Sequence, residues 1–414
     1  MNDPRAYLQQ RLQRSRDDIV DLVQRMVRIP SENPPGDTTD LYAFVTSYLE
    51  ERGLDYETVA PQAHLPNLVA SYDGGEPGKH LVLNGHLDIF PAGDPAFWSD
   101  DPFSGAIRDG KLFGRGVSDM KAGTAASILT YVYLAEIRDQ LRGTLTLTAV
   151  SDEETGGTWG SRYLIDHRPD VRGDCLLNGE PSTPGMVRFG EKGPLWLVMR
   201  VNTHGGHGAY THHSANAIIE AAEIITKLQS LAKLPVSMPP EVAAKVEAAR
   251  EAFDSHSGPG ATDVVTGVTL NIGMIDGGVK MNVIAAECRV EVDLRCPVGL
   301  TSAELLAAFE EVIRDRPDTS YEIVQQTEPS WSDPEHEMVG LLQKNAADVR
   351  GIRPLPGISI GATDCRLWRE QGVPAYVYGP TPYNMGAPDE FVTLEDLLGT
   401  VHVHVLSAFD YMAS

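Results

Sequence analysis

The sequence predicts an α/β fold: a mostly parallel-sheet domain covered by helices, with a smaller α+β domain inserted into it. Three observations lead there. Strand-like and helix-like segments alternate between residues 67 and 154, the order that builds a parallel sheet. The strand-like segments are almost continuously apolar, as in strands buried on both faces. Polar residues gather just past the carboxyl ends of those strands, where open α/β sheets place their ligand crevice.

The elements follow in order. "SRDDIVDLVQRMVRI" (15–29) spaces Ile19, Leu22, Val23, Met26 and Val27 as a helix does, and Pro30 with "SENPPGD" ends it. "TTDLYAFVTSYLEERG" predicts a second helix closed by Gly53. "NLVASYDG" and "HLVLNGHLDIF" read as strands, "KAGTAASILTYVYLAEIRD" as a helix, and "GTLTLTAVSDEE" as a buried strand ending in acids. The pattern changes near Glu191-Lys192-Gly193. "PLWLVMRVNT", "GVTLNIGMIDGG", "ECRVEVDLRCP" and "SYEIVQQTEP" alternate as strands. "SANAIIEAAEIITKLQSLA" and "TSAELLAAFEEVIRD" read as helices, the second with Thr301 as N-cap. "GPGATD" near Gly258 reads as a mobile loop. From about Ser330 helix and strand resume. The expected layout is a first domain in two pieces, residues 1–192 and 329–414, around an insertion at 193–328.

Composition narrows the function classes. A chain of 414 residues exceeds one ordinary core. With 42% apolar and 22% charged residues it reads as soluble and globular. No apolar run reaches the length of a membrane span, and the charged N-terminus lacks the apolar core of a signal peptide. The net charge of -24 repels nucleic acid and suits buried carboxylates that neutralise cations. Cys175, Cys288, Cys296 and Cys365 form no C-x-x-C pair, which predicts reduced thiols and a cytoplasmic location.

The residues that bear chemistry lie at predicted strand ends. In "NGHLDIFPAG", a neutral His86 imidazole suits zinc or manganese. Asp88, two residues on, is placed to receive the second ring N–H and fix the tautomer. Asp119 precedes a helix between glycines in "GRGVSDMKAG". Glu153 and Glu154 end the next strand, where adjacent carboxylates are costly unless cations or protons compensate. One of them is free to bind metal while the other faces a water. Glu180 ends a third strand in "LLNGEPS".

Taken together, "GHLD", "GRGVSDMKAG", "SDEETGG" and "GEPS" resemble the M20 metallopeptidase/amidohydrolase family, and "GGHGAY", "NVIAAECRVEVDLR" and "GISIGATDCR" extend the match over nearly the whole chain. The resemblance implies a metal-binding catalytic α/β domain with a lid or dimerisation domain. It implies that His86 and Glu180 bind a first metal, that Asp119 bridges two metals, that Glu154 binds the second and that Glu153 is the general base. It also implies that His207 reaches a neighbouring active site and steadies an oxyanion, and that Asn282 and Arg295 contact a substrate carboxylate. Arg295 has a second reading, a surface strand residue paired with Asp293. His204, His212 and His213 crowd the His207 loop, and one or two of them are expected to function, with His204 counted among the substrate-binding candidates.

One motif departs from the family. The family's last ligand is a histidine in a pattern resembling H-x-P-N/D-E, and here the matching run is "GAPDE" with Gly386 at the histidine's place. The expectation is therefore one divalent metal per chain, manganese or zinc, on His86, Asp119 and Glu180. Gly386 leaves room beside the site, and Tyr378 and Tyr383 are placed to line it against a flat ring. The missing histidine and aromatic loop resemble an atypical aminohydrolase branch of the family that acts on 5-nitroanthranilate, which implies hydrolysis of an aromatic amine. Two other readings stand beside it: a conventional two-metal amidohydrolase of the desuccinylase or aminoacylase type, and a non-catalytic scaffold. The expected partners are a small carboxylate substrate and a second copy of the chain, joined through residues of about 195–325 with "PLWLVMRVNT" as the pairing edge.

Overall fold

The computed structural model describes residues 3–413. The chain divides into two compact units. The first comprises Met1–Phe189, Ser332–Gly357 and Thr363–Ser414, and the second comprises Gly190–Trp331 and Ile358–Ala362. The junctions expected at 192/193 and 328/329 stand beside observed ones at 189/190 and 331/332, and the short return at 358–362 had no counterpart in the sequence reading.

In the first unit the sheet runs in the order Glu57–Val59, Asn67–Asp73, Arg142–Val150, Glu76–His86, Cys175–Asn178, Ala375–Val377, Met186–Glu191. Its centre is parallel: Glu76–His86 pairs in parallel with Arg142–Val150 and with Cys175–Asn178, and Ala375–Val377 joins Cys175–Asn178 in the same sense. The outer pairings are antiparallel. Two long helices, Ala122–Ala135 and Leu394–Met412, are buried along nearly their whole length. A helix apolar all round belongs inside a core, which explains why "AGTAASILTYVYLA" has no polar face.

Parallel strands aim their carboxyl ends the same way. His86, the turn after Val150 and the turn after Asn178 therefore share one edge. The seam between that edge and the helix Ala122–Ala135 is backbone against backbone. A Cβ on Gly123 would lie 2.0 Å from the carbonyl oxygen of Gly179, and one on Gly179 would lie 2.5 Å from Cα of Gly123. Only glycine fits both places, and the contact brings the Asp119 turn up to Glu180.

The second unit holds a four-stranded antiparallel sheet in the order Thr269–Gly277, Glu287–Cys296, Gly193–Asn202, Thr319–Gln326. One face carries Leu195, Leu197, Met199, Val201, Val290, Val292 and Leu294 and packs on Ala221, Ile224, Leu305 and Phe309 from the helices Ala217–Leu228 and Ser302–Ile313. Thr301 caps the latter helix reciprocally with Glu304. Two expectations are corrected here. "PLWLVMRVNT" is an inner strand with a partner on each side, so it offers no free edge. "GPGATD" is part of an ordered turn and short helix, Ala261–Thr266, after a long helix Pro240–Ser257. Asp254 accepts from both the amide and the hydroxyl of Thr262, 2.7 Å each, and fixes that turn. Lys192 is buried and donates to the carbonyls of Val264 and Gly267 at the helix's carboxyl end.

Candidate metal and catalytic site

His86 is the last residue of its strand and is buried. Its Nδ1 donates to the backbone carbonyl of Asp88 at 2.8 Å. That bond leaves Nε2 facing Asp119 Oδ1 at 3.3 Å and Glu180 Oε1 at 3.4 Å. One ligand atom from each of these three residues lies within 4.8 Å of the others. An imidazole and two carboxylates at this spacing suit a divalent cation with positions left for water.

The electrostatics agree. Burial alone would depress His86, but hydrogen bonds and charge from Asp119 and Glu180 outweigh it and hold the imidazole well above its ordinary range. Burial, with the charge of Asp119 next, lifts Glu180 to about 7. Burial and then Asp119 lift Glu154 to about 11, and its Oε1 is a buried oxygen with no hydrogen-bond partner among the described residues. Burial raises Glu153 well above the carboxylate range. So many acids share this buried edge only with protons or a cation to compensate. The residues present fit a metal.

The sequence reading of Asp88 is corrected. Its backbone carbonyl, not its carboxylate, takes the imidazole N–H. The carboxylate keeps one oxygen 3.6 Å from His86 Nδ1 and accepts from the amides of Glu153 at 3.2 Å and Glu154 at 3.1 Å, and from Asn33 Nδ2 at 2.9 Å. In the tight turn at His86-Leu87-Asp88 the carbonyl reaches the ring first, and Asp88 positions the turn bearing the two glutamates.

Around Glu153 stand residues that sequence reasoning passed over. Arg366 Nη1 lies 3.5 Å from Glu153 Oε1, and its Nη2 donates to the carbonyl of Gly156 at 3.2 Å. Asp364 accepts from Ser161 Oγ at 2.6 Å and keeps a second buried oxygen without a partner among the described residues. The polar Asp-x-Arg inside "GATDCR" was the available signal.

Gly386 is exposed, with φ +75°, and a Cβ there would meet nothing within 4 Å. Of the two tyrosines expected to line this place, one is turned into the core and the other stays partly exposed. Tyr378 is fully buried, its hydroxyl 3.5 Å from the carbonyl oxygen of Pro184 and its own carbonyl accepting from His404 Nε2. Tyr383 stacks on Phe391, ring centroids 4.6 Å apart.

The remaining candidates lie in the second unit. His207 pairs with Val283 in a two-residue ladder and is exposed. The amide of Gly208 donates to the carbonyl of Asn282, so His207 and Asn282 are neighbours. His204 borders a cavity of about 490 Å³ with Val283 and Arg289. His212 and His213 pack with Tyr210. Arg295 makes two 3.3 Å contacts with Asp293, the second of its two readings. It sits at the far end of the strand that begins at Glu287.

A buried imidazole–carboxylate cluster beside two further buried glutamates, on the strand-end edge of an α/β sheet, is the arrangement of a metal-dependent hydrolase. Comparison with known proteins agrees. Residues 82–409 match the model of Peptidase family M20/M25/M40. Succinyl-diaminopimelate desuccinylase of Cereibacter sphaeroides is 30% identical over 411 residues, 96% of this chain and 99% of that protein. The fold is shared with an M20 family metallo-carboxypeptidase, Sso-CP2, from Sulfolobus solfataricus, at TM-score 0.82 and 16% identity over 96% of this chain and 99% of that one. It is shared too with the di-peptidase Dug1p from Saccharomyces cerevisiae, at TM-score 0.80 and 15% identity over 99% of each chain. The chain belongs to the M20 family and is a metal-dependent hydrolase acting on C–N bonds.

Proposed function

We propose that the protein hydrolyses the C–N bond of an amide in a small carboxylate-bearing substrate, with one tightly held divalent metal, manganese or zinc. The convergence of His86 Nε2, Asp119 Oδ1 and Glu180 Oε1 carries this reading. When bound, the cation supplies the Lewis acidity that makes water a competent nucleophile near neutral pH. Glu153 takes the proton of the attacking water and delivers it to the leaving nitrogen. Arg366 holds the glutamate in place, and the Asp88 carboxylate holds the backbone that bears it. His207 steadies the oxygen on which negative charge develops, and Arg295 and Asn282 recognise the substrate's carboxylate.

An amide is favoured over an aromatic amine of the 5-nitroanthranilate kind because the tyrosines that suggested a flat ring are turned into the core or onto Phe391. A second reading, two metals, is favoured by one observation, the unpartnered buried Oε1 of Glu154. Glu153 beside an intact ligand set speaks against a bare scaffold.

The working form is proposed to be a homodimer. His207 and Asn282 lie beyond one end of the strand Glu287–Cys296 and Arg295 near the other, roughly 26 Å apart or more by strand rise. A small substrate does not touch both ends of one copy, so a composite site needs two. The pairing edge is Thr269–Gly277, which has a neighbour on one side only and exposes Met274 and Ile275, followed by Val279 and Met281. Among the described residues no helix is long and apolar enough to cross a membrane. Four buried free cysteines fit a reducing cytoplasm, and the net charge of -24 fits no nucleic-acid partner.

Metal analysis combined with a panel of N-acyl amino acids, dipeptides and aryl amines tests the proposal. One ion per chain with amide turnover is expected. Two tight ions per chain establish the second reading. Turnover confined to aryl amines overturns the substrate class. Gly386→His serves as a control: the side chain has room, the left-handed backbone costs about 1–2 kcal/mol, and occupancy of a second metal rises.

A further inference from the structure

The loop that lacks the ligand histidine is not slack. Glu390, four residues after Gly386, is buried, and all its hydrogen bonds converge on the turn that bears Asp119. One carboxylate oxygen accepts from the amide of Ser118 at 2.9 Å, its hydroxyl at 3.0 Å and the amide of Asp119 at 3.4 Å. The other accepts from the amide of Gly116 at 3.2 Å and from Arg115 Nη1 at 2.7 Å. Arg115 is equally buried and reaches back to the carbonyls of Gly386 at 3.1 Å and Ala387 at 3.4 Å. The amide of Gly114 donates to the backbone carbonyl of Glu390 at 2.9 Å, and Phe391–Thr393 pairs with Lys111–Phe113. Loop and turn are thus laced together by one ion pair whose two ends grip opposite backbones.

We propose that Glu390, held by Arg115, is the positioning residue that fixes Asp119 for metal binding, so that the 378–392 loop acts on the metal through Asp119 without contributing a ligand. This rests on the reading of Asp119 as a ligand. A carboxylate is acceptor-only and matches a turn whose amides and one hydroxyl all point inward. A carboxamide puts an NH₂ against N–H groups and pushes the turn away. Asp119 Oδ1 stands 3.3 Å from His86 Nε2, and a shift of roughly 1 Å is enough to spoil such a site. Gly386 contributes its carbonyl to the lacing.

Manganese and zinc affinities of the full-length protein, measured by competition with a chelating dye, test this with four chains: wild type, Glu390→Gln, Asp119→Ala and the double variant. Circular dichroism of each metal-free chain reports folding. Glu390→Gln is expected to stay folded and weaken metal binding by about 10- to 100-fold, the range for partners that orient ligands. Asp119→Ala is expected to weaken it further, and the double variant no further still, since Glu390 acts through Asp119. Affinity in Glu390→Gln within twofold of wild type, beside a damaging Asp119→Ala, overturns the positioning role alone. A loss that adds in full to that of Asp119→Ala does the same. Undiminished affinity in Asp119→Ala removes the ligand reading and the proposal with it. If Glu390→Gln does not fold, Ser118→Ala decides. Removing one of several donors is expected to weaken binding by about threefold to tenfold, and no change overturns the proposal.

Discussion

The carboxylate of Asp88 accepts the amide of Glu154 at 3.1 Å, and that of the preceding Glu153 at 3.2 Å, while the Asp88 carbonyl takes the imidazole of His86. One residue therefore holds the imidazole with its backbone and the glutamate turn with its side chain. Asp88→Asn separates the two roles. It keeps the carbonyl and offers the glutamate turn one acceptor where two are used. Turnover is expected to fall about tenfold or more while metal affinity changes less. A loss confined to affinity would return Asp88 to the imidazole.

Glu153→Gln keeps the size of the side chain and removes its capacity to take a proton. Metal content is expected to stay and turnover to drop by about a hundredfold or more. Steady-state kinetics beside metal analysis checks both halves, and unchanged turnover takes Glu153 out of the mechanism.

The buried cluster makes stability depend on pH in a definite direction. Glu180, at about 7, lies above its ordinary 4.5, and Glu154, at about 11, lies higher still. Groups raised on folding contribute stability below their unfolded pKa and lose it as pH rises through the folded one. The metal-free protein thus loses stability at this site from about pH 4.5 upward through 7. His404, buried and depressed to about 4, works the opposite way, losing its contribution as pH falls from 6.5. The shift in Tm on adding manganese or zinc removes such background. It is expected to grow from pH 5.5 to pH 8, and a shift that shrinks over that range contradicts the assignment.

Two chains that are each inactive should restore each other if the site is composite. Co-expressed His207→Ala and Glu153→Gln chains are expected to yield heterodimers with partial activity, because one of the two sites keeps both groups. Heterodimers that bind metal and stay inactive exclude action of His207 across an interface.

Much of the site was legible because its residues sit at chain positions that topology aligns. His86, Glu153, Glu154 and Glu180 follow parallel strands, and a parallel sheet brings such ends together whatever the details. Directions of side chains were not legible. Asp88 looked like the imidazole's partner because spacing says which residues are near, not which atom arrives first. Tyr378 looked like a loop residue, yet the strand before it, Ala375–Val377, is inserted between two others, so the next residue is still inside. "PLWLVMRVNT" showed one buried face correctly, but alternation does not count neighbours. Sequence reasoning gave Glu390 no role, because the five donors to its carboxylate lie more than 270 residues away along the chain.

The glycine seam between Gly123 and Gly179 bears on how such an enzyme diversifies. Either position enlarged by one methyl forces two backbones apart and carries Asp119 away from Glu180. The spacing of the metal centre is therefore inherited whole, with no intermediate steps through slightly larger residues. Change is left to the solvent-facing rim, where the side chain of Met385 is exposed and a Cβ at Gly386 meets nothing within 4 Å. A library built to alter substrate choice belongs on the rim, and variants at the seam are expected to drop out of it as metal-free protein.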